Sequence, residues 1–426
     1  MTISQIHKLF LDSKGVSTDT RKISKNTLFF SLKGENFNGN TYADKALESG
    51  ASFAIIDEPE FKTSDKHILV NNTLKTLQDL ALYHREFLGI TIIGLTGSNG
   101  KTTSKELINC VLSSKFKTTA TIGNLNNHIG VPLTLLSMTQ ETEIGIVEMG
   151  ANHQGEIESL CAICKPDYGY ITNIGKAHLE GFGGIEGVLK GKTELYRHLK
   201  QNDKAVFINI EDQKLVNASS GIKSFSFSQT SKSDCTIKLI EANPNVIVSY
   251  QNLIINSNLI GVYNFTNIAA AIAIGNHFNT PPNAIKGAIE SYIPTNNRSQ
   301  IIKKDSYTII LDAYNANPSS MEAAINNLTT LNDNNKIVFL GDMFELGSEA
   351  KAEHQKITNL ITNTSVNEIY LLGKNFLQTT SNDPRVKKFE SFENLKSNWK
   401  LKNKKVTILI KGSRGMQLER ILNLLN

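Results

Sequence analysis

The stretch Ile90-Thr91-Ile92-Ile93-Gly94-Leu95-Thr96-Gly97-Ser98-Asn99-Gly100-Lys101-Thr102-Thr103 decides how this chain reads. Its first half, Ile90–Leu95, is a short apolar run of the kind that forms a fully buried strand. A glycine-containing loop follows, and a helical pattern starts at Lys101. That order makes an anion cradle. Glycines let backbone N–H groups converge on phosphate oxygens, and the helix N-terminus adds partial positive charge. Gly97, Ser98, Asn99, Gly100, Lys101, Thr102 and Thr103 are therefore the expected phosphate-contacting residues. Lys101 would reach the β- and γ-phosphates, and the Thr102 hydroxyl would ligate Mg²⁺. The strict Walker spacing would put glycine at position 95, where this chain has Leu95.

Working outward, further buried strands are expected at Ile144–Val147, Tyr168–Thr172 and Ala205–Ile210, then a peripheral β segment over 211–258 and an alanine-rich helix at Asn267–Phe278. Before the loop, Thr27–Leu32 and Ala54–Asp57 look strand-like, and Leu74–Phe87 has helical spacing. From about Pro294, strands Thr308–Leu311, Lys336–Leu340, Glu368–Leu372 and Val406–Ile410 alternate with helix patterns, which implies a parallel sheet with helices on both faces. A chain of 426 residues exceeds one hydrophobic core. Three α/β domains are expected, at 1–85, 86–293 and 294–426.

The net charge of +5 is too weak to indicate nucleic acid, and 40% hydrophobic residues exclude a disordered chain. No apolar run approaches the roughly 20 residues that span a bilayer, so no integral membrane segment is expected. Four cysteines give no disulfide framework, which fits a reducing, cytoplasmic setting. Cys161 and Cys164 form a C-x-x-C pair on a helical pattern, read here as packing.

Two motifs follow strands and so sit where ligands bind in open α/β sheets. Glu148-Met149-Gly150 offers a carboxylate to a cation, and Asn173–Glu180 carries His178. Together with Thr96–Thr103 and Lys192-Thr193-Glu194, they occur in the order and spacing of the Mur ligase family, which the chain resembles over essentially its whole length. Enzymes of that family join an amino acid or dipeptide to a UDP-linked muramoyl precursor of peptidoglycan.

The resemblance implies a small UDP-substrate-binding domain, a central P-loop-type parallel-sheet ATPase domain and a C-terminal Rossmann-like domain. It implies ATP and Mg²⁺, with two ions, held through Thr102, Glu148, His178 and Lys192, and it makes Lys101, His178 and Lys192 catalytic. Lys192 would be carbamoylated. A free ammonium has only donors and repels a cation, whereas a carbamate supplies anionic oxygens. Thr193 stands where glycine is usual, and Lys190 is a nearby competitor without the matching Glu194 two places on.

Gly123–Thr134, Asp312–Met321, Leu340–Gly347 and Lys411–Met416 are similar to the branch of the family that adds D-alanyl-D-alanine. By that similarity Asn126, Asn127, Asp312, Tyr314, Asn315, Asn317 and Arg414 would bind substrate, Asn264 and Asn267 would hold adenine, and Arg298 would reach ATP. Ser17, Thr18, Asp19, Arg21, Asn38 and Asn40 would contact UDP, although Asn38-Gly39-Asn40 replaces the usual Asp-Gly-His. The implied partners are UDP-N-acetylmuramoyl-tripeptide and D-alanyl-D-alanine, acting on a monomer. A ligase adding another amino acid, a folylpolyglutamate synthase and a nucleotide-switched binding module are the rival readings.

Overall fold

The structure, a computed structural model, describes residues 1–304, 307–400 and 405–425. Its centre is a seven-stranded, wholly parallel sheet in the spatial order Cys235–Thr236, Lys223–Ser228, Ala205–Asn209, Tyr168–Ile171, Thr91–Thr96, Ile144–Glu148, Thr118–Ala120. Side chains of Thr91–Thr96 alternate between two cores, as strand geometry requires. Ile92 points into a cluster with Leu77, Leu80, Leu135, Leu160 and Leu195, while Ile93 and Leu95 join Leu107, Ile108, Val111 and Ile268. Both faces are thus covered by helices, which is why the strand reads as a continuous apolar run.

Strand order places the chemistry. After Thr91–Thr96 the chain crosses to the far edge strand Thr118–Ala120, returns to Ile144–Glu148, then passes to the other side at Tyr168–Ile171. The strand carrying the phosphate loop therefore lies at a switch point, where carboxyl ends of neighbouring strands open a crevice. Leu95 pairs with Glu148 and Thr96 with Ile171, so three loops leave the sheet at one level.

On one side lies a four-stranded parallel sheet, Val16–Ser17, Leu28–Phe30, Phe53–Ile56 and His67–Leu69. The helix Thr73–Leu88, capped by Asn72 and ended by Gly89 at φ +62°, belongs to both units. Leu77, Leu80 and Ala81 lie in one continuous core with Leu28 and Phe30 of the first sheet and with Ile92 and Val147 of the central one. On the other side is a six-stranded sheet ordered Gln300–Lys304, Tyr307–Asp312, Val406–Lys411, Lys336–Gly341, Glu368–Leu372, Val386–Phe389.

The α/β, parallel-sheet architecture is as expected, with local corrections. Gln300–Lys304 runs antiparallel to Tyr307–Asp312, so the third sheet is not wholly parallel. The 211–258 region is not one peripheral β segment: Gln213–Ala218 is helical, and Lys223–Ser228 and Cys235–Thr236 extend the central sheet. Val406–Lys411 is followed by 3₁₀ turns at Arg414–Met416 and Leu418–Leu424 rather than an α-helix. The helix Ile3–Leu11, with its Thr2/Gln5 capping box, was not anticipated.

That N-terminal helix is tied down by a buried histidine pair. His84 Nε2 lies 2.9 Å from the Met138 carbonyl oxygen and must donate, so its Nδ1 accepts from His7 Nε2 at 3.0 Å. Burial lowers both imidazoles below the ordinary value of 6.5, and for His7 the charge of His84 adds to it. The unfolded chain therefore binds protons first. Stability should be constant above about pH 7.5 as far as this pair is concerned and should fall as the pH drops below about 6.5. Urea unfolding across that range should show a shallower pH slope for His7→Gln, which keeps a donor to His84 but removes one titrating group. An equal slope would remove His7 from the account.

Candidate active site

The three loops at the switch point line a cleft of about 1100 Å³, closed on its far side by the third sheet. Gly97 and Gly100 make the phosphate loop possible. Both have positive φ, +143° and +79°, and a Cβ would come within 2.0 Å of Thr172 Oγ1 at the first and 2.5 Å of Asn267 Oδ1 at the second. Gly100 then opens the helix Lys101–Ser113. Lys101 Nζ donates to the carbonyls of Gly97 at 2.8 Å and Ser98 at 3.3 Å, folded over its own loop. Burial holds this ammonium below the ordinary lysine value, with Glu148 opposing and Arg298 adding to the effect.

Beside it, Glu148 is 1% exposed. Its Oε1 accepts from Asn126 Nδ2 at 2.8 Å and Thr102 Oγ1 at 3.3 Å, whereas its buried Oε2 has no hydrogen-bond partner among the described residues. A buried carboxylate oxygen left unpaired is costly, and a hydroxyl next to it completes a hard-oxygen set. Those donors fit a Mg²⁺ ion. No three His, Cys, Asp or Glu side chains converge among the described residues. Further ligands would have to be phosphate oxygens, hydroxyls or a modified side chain.

The loop after Tyr168–Ile171 is laced to the phosphate loop. Asn173 O accepts from Ser98 N, Asn173 Oδ1 accepts from Asn99 N, and Gly175 N donates to Ser98 Oγ at 2.9 Å. His178 follows in a left-handed conformation, φ +53°, with Nδ1 paired to Glu345 from the third unit. That pairing, with His178 as the main cause, holds the Glu345 carboxyl below its ordinary range. Lys192 ends the helix Ile185–Lys192 and is 1% exposed, its amine donating to Ala151 O at 2.9 Å above the Phe182 ring. Burial, and then the charge of Lys101, push it well below the ordinary lysine value, against Glu156 and Glu194. Lys190, by contrast, is exposed. Glu194 accepts from Gly155 N and Glu158 N, and so caps the start of the helix Glu156–Cys164.

From the opposite wall come Arg298, Asp312, Tyr314, Asn315 and Asn317. The Arg298 guanidinium lies 3.7 Å over the Tyr314 ring, and its buried Nε has no hydrogen-bond partner among the described residues. Asn317 caps the helix Pro318–Thr330 and donates from Nδ2 to Asn99 Oδ1 at 2.7 Å, joining the walls. Asn264 and Asn267 line the cleft but are bonded to each other, to Ile260 O and to Ser104 Oγ, which seats their helix against the loop. Asn127 lines it too, while its Oδ1 accepts from Ile129 N and Gly130 N at the start of the helix Gly130–Leu136. Lys411, 2% exposed, stood in the Lys411–Met416 motif but was given no role there: it donates to Asp312 Oδ2 at 2.6 Å inside the cleft, at the end of an apolar strand.

Arg414 does not line the cleft but stands beside it: it is mostly exposed and paired with Glu419, and its guanidinium lies 5.8 Å from the centre of the Tyr314 ring. The other expected residues are not brought here. Ser17, Thr18, Asp19 and Arg21 lie on the first sheet's edge, where Arg21 forms a bidentate pair with Asp19. Asn38 and Asn40 form a network with Glu58 and Asp57. Cys161 and Cys164 are buried with their thiols against Met149, and burial pushes Cys164 up to about 12.

Family profiles described as "Mur ligase family, catalytic domain", "Mur ligase middle domain" and "Mur ligase, glutamate ligase domain" match residues 12–85, 95–275 and 297–414. Curated relatives named UDP-N-acetylmuramoyl-tripeptide--D-alanyl-D-alanine ligase include that of Bacillus subtilis, 35% identical over 96% of this chain and 92% of its own, and that of Escherichia coli, 32% identical over 96% and 93%. Among solved structures, MurF from Acinetobacter baumannii superposes with TM-score 0.85 at 28% identity, covering 99% of this chain and 98% of that one. MurF from Thermotoga maritima in complex with ADP gives 0.84 at 25%, covering 98% and 97%. With the loops, cleft and all three units accounted for, the chain belongs to the Mur ligase family.

Proposed function

We propose that this chain joins D-alanyl-D-alanine to UDP-N-acetylmuramoyl-tripeptide at the expense of ATP, in the cytoplasmic assembly of peptidoglycan precursors. The observation that carries the reading is the unpaired Glu148 Oε2 beside Thr102 and Lys101, facing Arg298 and Asp312–Asn317 across one cleft. A phosphate-transfer edge thereby meets a wall of amide, carboxylate and guanidinium groups suited to a peptide. No helix among the described residues is long and apolar enough to cross a membrane.

In this reaction the peptide's terminal carboxylate attacks the γ-phosphorus of ATP, giving an acyl phosphate and ADP. The dipeptide amine then attacks the acyl carbon, and phosphate leaves from the tetrahedral intermediate. Two anions must first meet, so the protein's work is neutralisation and positioning. Lys101 swings from its own loop carbonyls to the transferring phosphate, Arg298 reaches across from the third unit, and His178 stands at the third loop. Glu148, Thr102 and His178 would hold Mg²⁺, which supplies charge neutralisation at the phosphates. Lys192, as a carbamate, would add anionic oxygens for a second ion. Asn264 and Asn267 would flank adenine, Asn126, Asn127, Asp312, Tyr314, Asn315, Asn317 and Arg414 would serve the peptide substrates, and the clusters at Ser17–Arg21 and Asn38–Asn40 would receive UDP. The three domains are placed at 1–85, 86–293 and 294–426, acting as a monomer.

The purified protein should release ADP only when both UDP-N-acetylmuramoyl-tripeptide and D-alanyl-D-alanine are present, measured by a coupled ADP assay. ADP release at full rate with either substrate alone would point to a nucleotide-hydrolysing module instead.

A further inference from the structure

The loop that bears His178 is held from two directions, and one of its holders has no place in the chemistry above. Lys176 stands between Gly175, bonded to Ser98, and His178. Its backbone N–H donates to Ser319 Oγ at 3.1 Å, on the helix Pro318–Thr330. Its Nζ meets Glu353 Oε1 at 2.7 Å, on the helix Ala350–Thr362. The Glu353 side chain is only 4% exposed, and Lys356 is its second partner at 2.9 Å. A buried carboxylate between two ammonium groups is destabilised when one is lost, and here that loss falls on the contact between units.

The connections form an unbroken line. The phosphate loop is bonded to Asn173 and Gly175, the next residue, Lys176, is bonded to two helices of the third unit, and Asn317 closes the circuit onto Asn99. We infer that Lys176 and Glu353 are a positioning pair, a clasp that sets the third unit's substrate wall in register with the phosphate loop. Neither side chain lines the cleft. The pair therefore acts on the distance between the two substrates' sites and not on either substrate. Separation of the walls weakens the meeting of acyl phosphate and amine, while ATP still finds its loop intact.

The inference rests on the ligase reading for its kinetic arm alone. Lys176→Glu and Glu353→Lys should each lower kcat about tenfold, within the usual range of coupling between sites. KM for ATP should stay within about twofold, because the phosphate loop is unchanged. The double variant K176E/E353K keeps two positive charges and one negative in the triplet and should recover most of kcat. Small-angle scattering of the ligand-free proteins should show a larger radius of gyration in each single variant and a return in the double. Should a reversed charge prevent folding, Lys176→Met and Glu353→Gln carry the same test: each slows turnover, and the two together slow it no further than one. Ligation by the unaltered protein decides the ligase reading by itself; if it were inactive, scattering alone would still decide the clasp. Unchanged kcat in the single variants, a double variant slower than either, or an unchanged radius in an inactive protein would overturn it.

Discussion

Lys192→Ala should lose ligation by on the order of a thousandfold, and a short carboxylic acid in the buffer should restore part of it. The lysine is buried almost completely, its amine donates to one carbonyl among the described residues, and it lies where the charge of Lys101 is felt. A cation there is disfavoured twice, by lost hydration and by like charge. The neutral amine is the form that attacks CO₂. Carbamoylation would bond this nitrogen to the carbon with loss of a proton, turning an uncharged side chain into an anion. Alanine would then remove that anion and leave a space for acetate or propionate. Lys192→Met fills that space and should be equally slow but refractory to rescue, which separates lost charge from lost packing. Lys190→Ala, at an exposed position two residues away, should turn over normally. Steady-state rates with and without added carboxylate check all three. Normal turnover by Lys192→Ala would end the proposal.

Lys101→Ala should lower kcat a hundredfold to a thousandfold while leaving the fold intact. Its two hydrogen bonds go to carbonyls of its own loop, so no core contact departs with the side chain. The expected change in unfolding free energy is below about 1 kcal/mol, because the loss of two part-buried hydrogen bonds is offset by no longer burying an ammonium. Turnover should suffer because negative charge moves toward the γ-phosphate oxygens as the phosphoryl group transfers, and a fixed ammonium there is worth more in the transition state than in the ground state. Lys101→Arg should not rescue, since a planar fork cannot replace a point charge inside a loop this tight. Circular dichroism and ADP release measured on the same preparation decide it. A folded, fully active Lys101→Ala protein would mean that the loop does not serve phosphate transfer.

Much of this was legible before any coordinates because it is local. A buried strand ending in a glycine loop is a short-range pattern, and Ile90–Leu95 differs from the observed Thr91–Thr96 by one residue at each end. Glu148 and Asn173–His178 could be placed at the same edge because each follows its own apolar strand. What escaped depends on distant partners. Gln300–Lys304 is paired antiparallel with Tyr307–Asp312, and nothing within its own residues distinguishes it from a parallel edge. Lys411 looks like an ordinary strand end until Asp312 is beside it. Lys176 is an unremarked position inside a turn whose meaning comes from Glu353, far along the chain. The stretches expected to contact UDP rest on similarity alone, and Arg21 is bonded to Asp19 and Asn40 to Asn38 rather than lining the cleft.

The helix Thr73–Leu88 has a consequence for how such a protein can be taken apart. It packs on the helices Gly130–Leu136 and Glu156–Cys164, and its Leu77, Leu80 and Ala81 share one core with Ile92 and Val147 of the catalytic sheet and with Leu28 and Phe30 of the first. A cut at residue 86 would therefore strip the lid from an apolar floor, and the isolated catalytic half would expose a sticky face to its neighbours. A seam placed before Asn72, at the helix cap, leaves that floor covered and asks only the small first sheet to find a substitute. Modular exchange between relatives, in the laboratory or in evolution, should respect the helix cap as its border rather than the end of the helix.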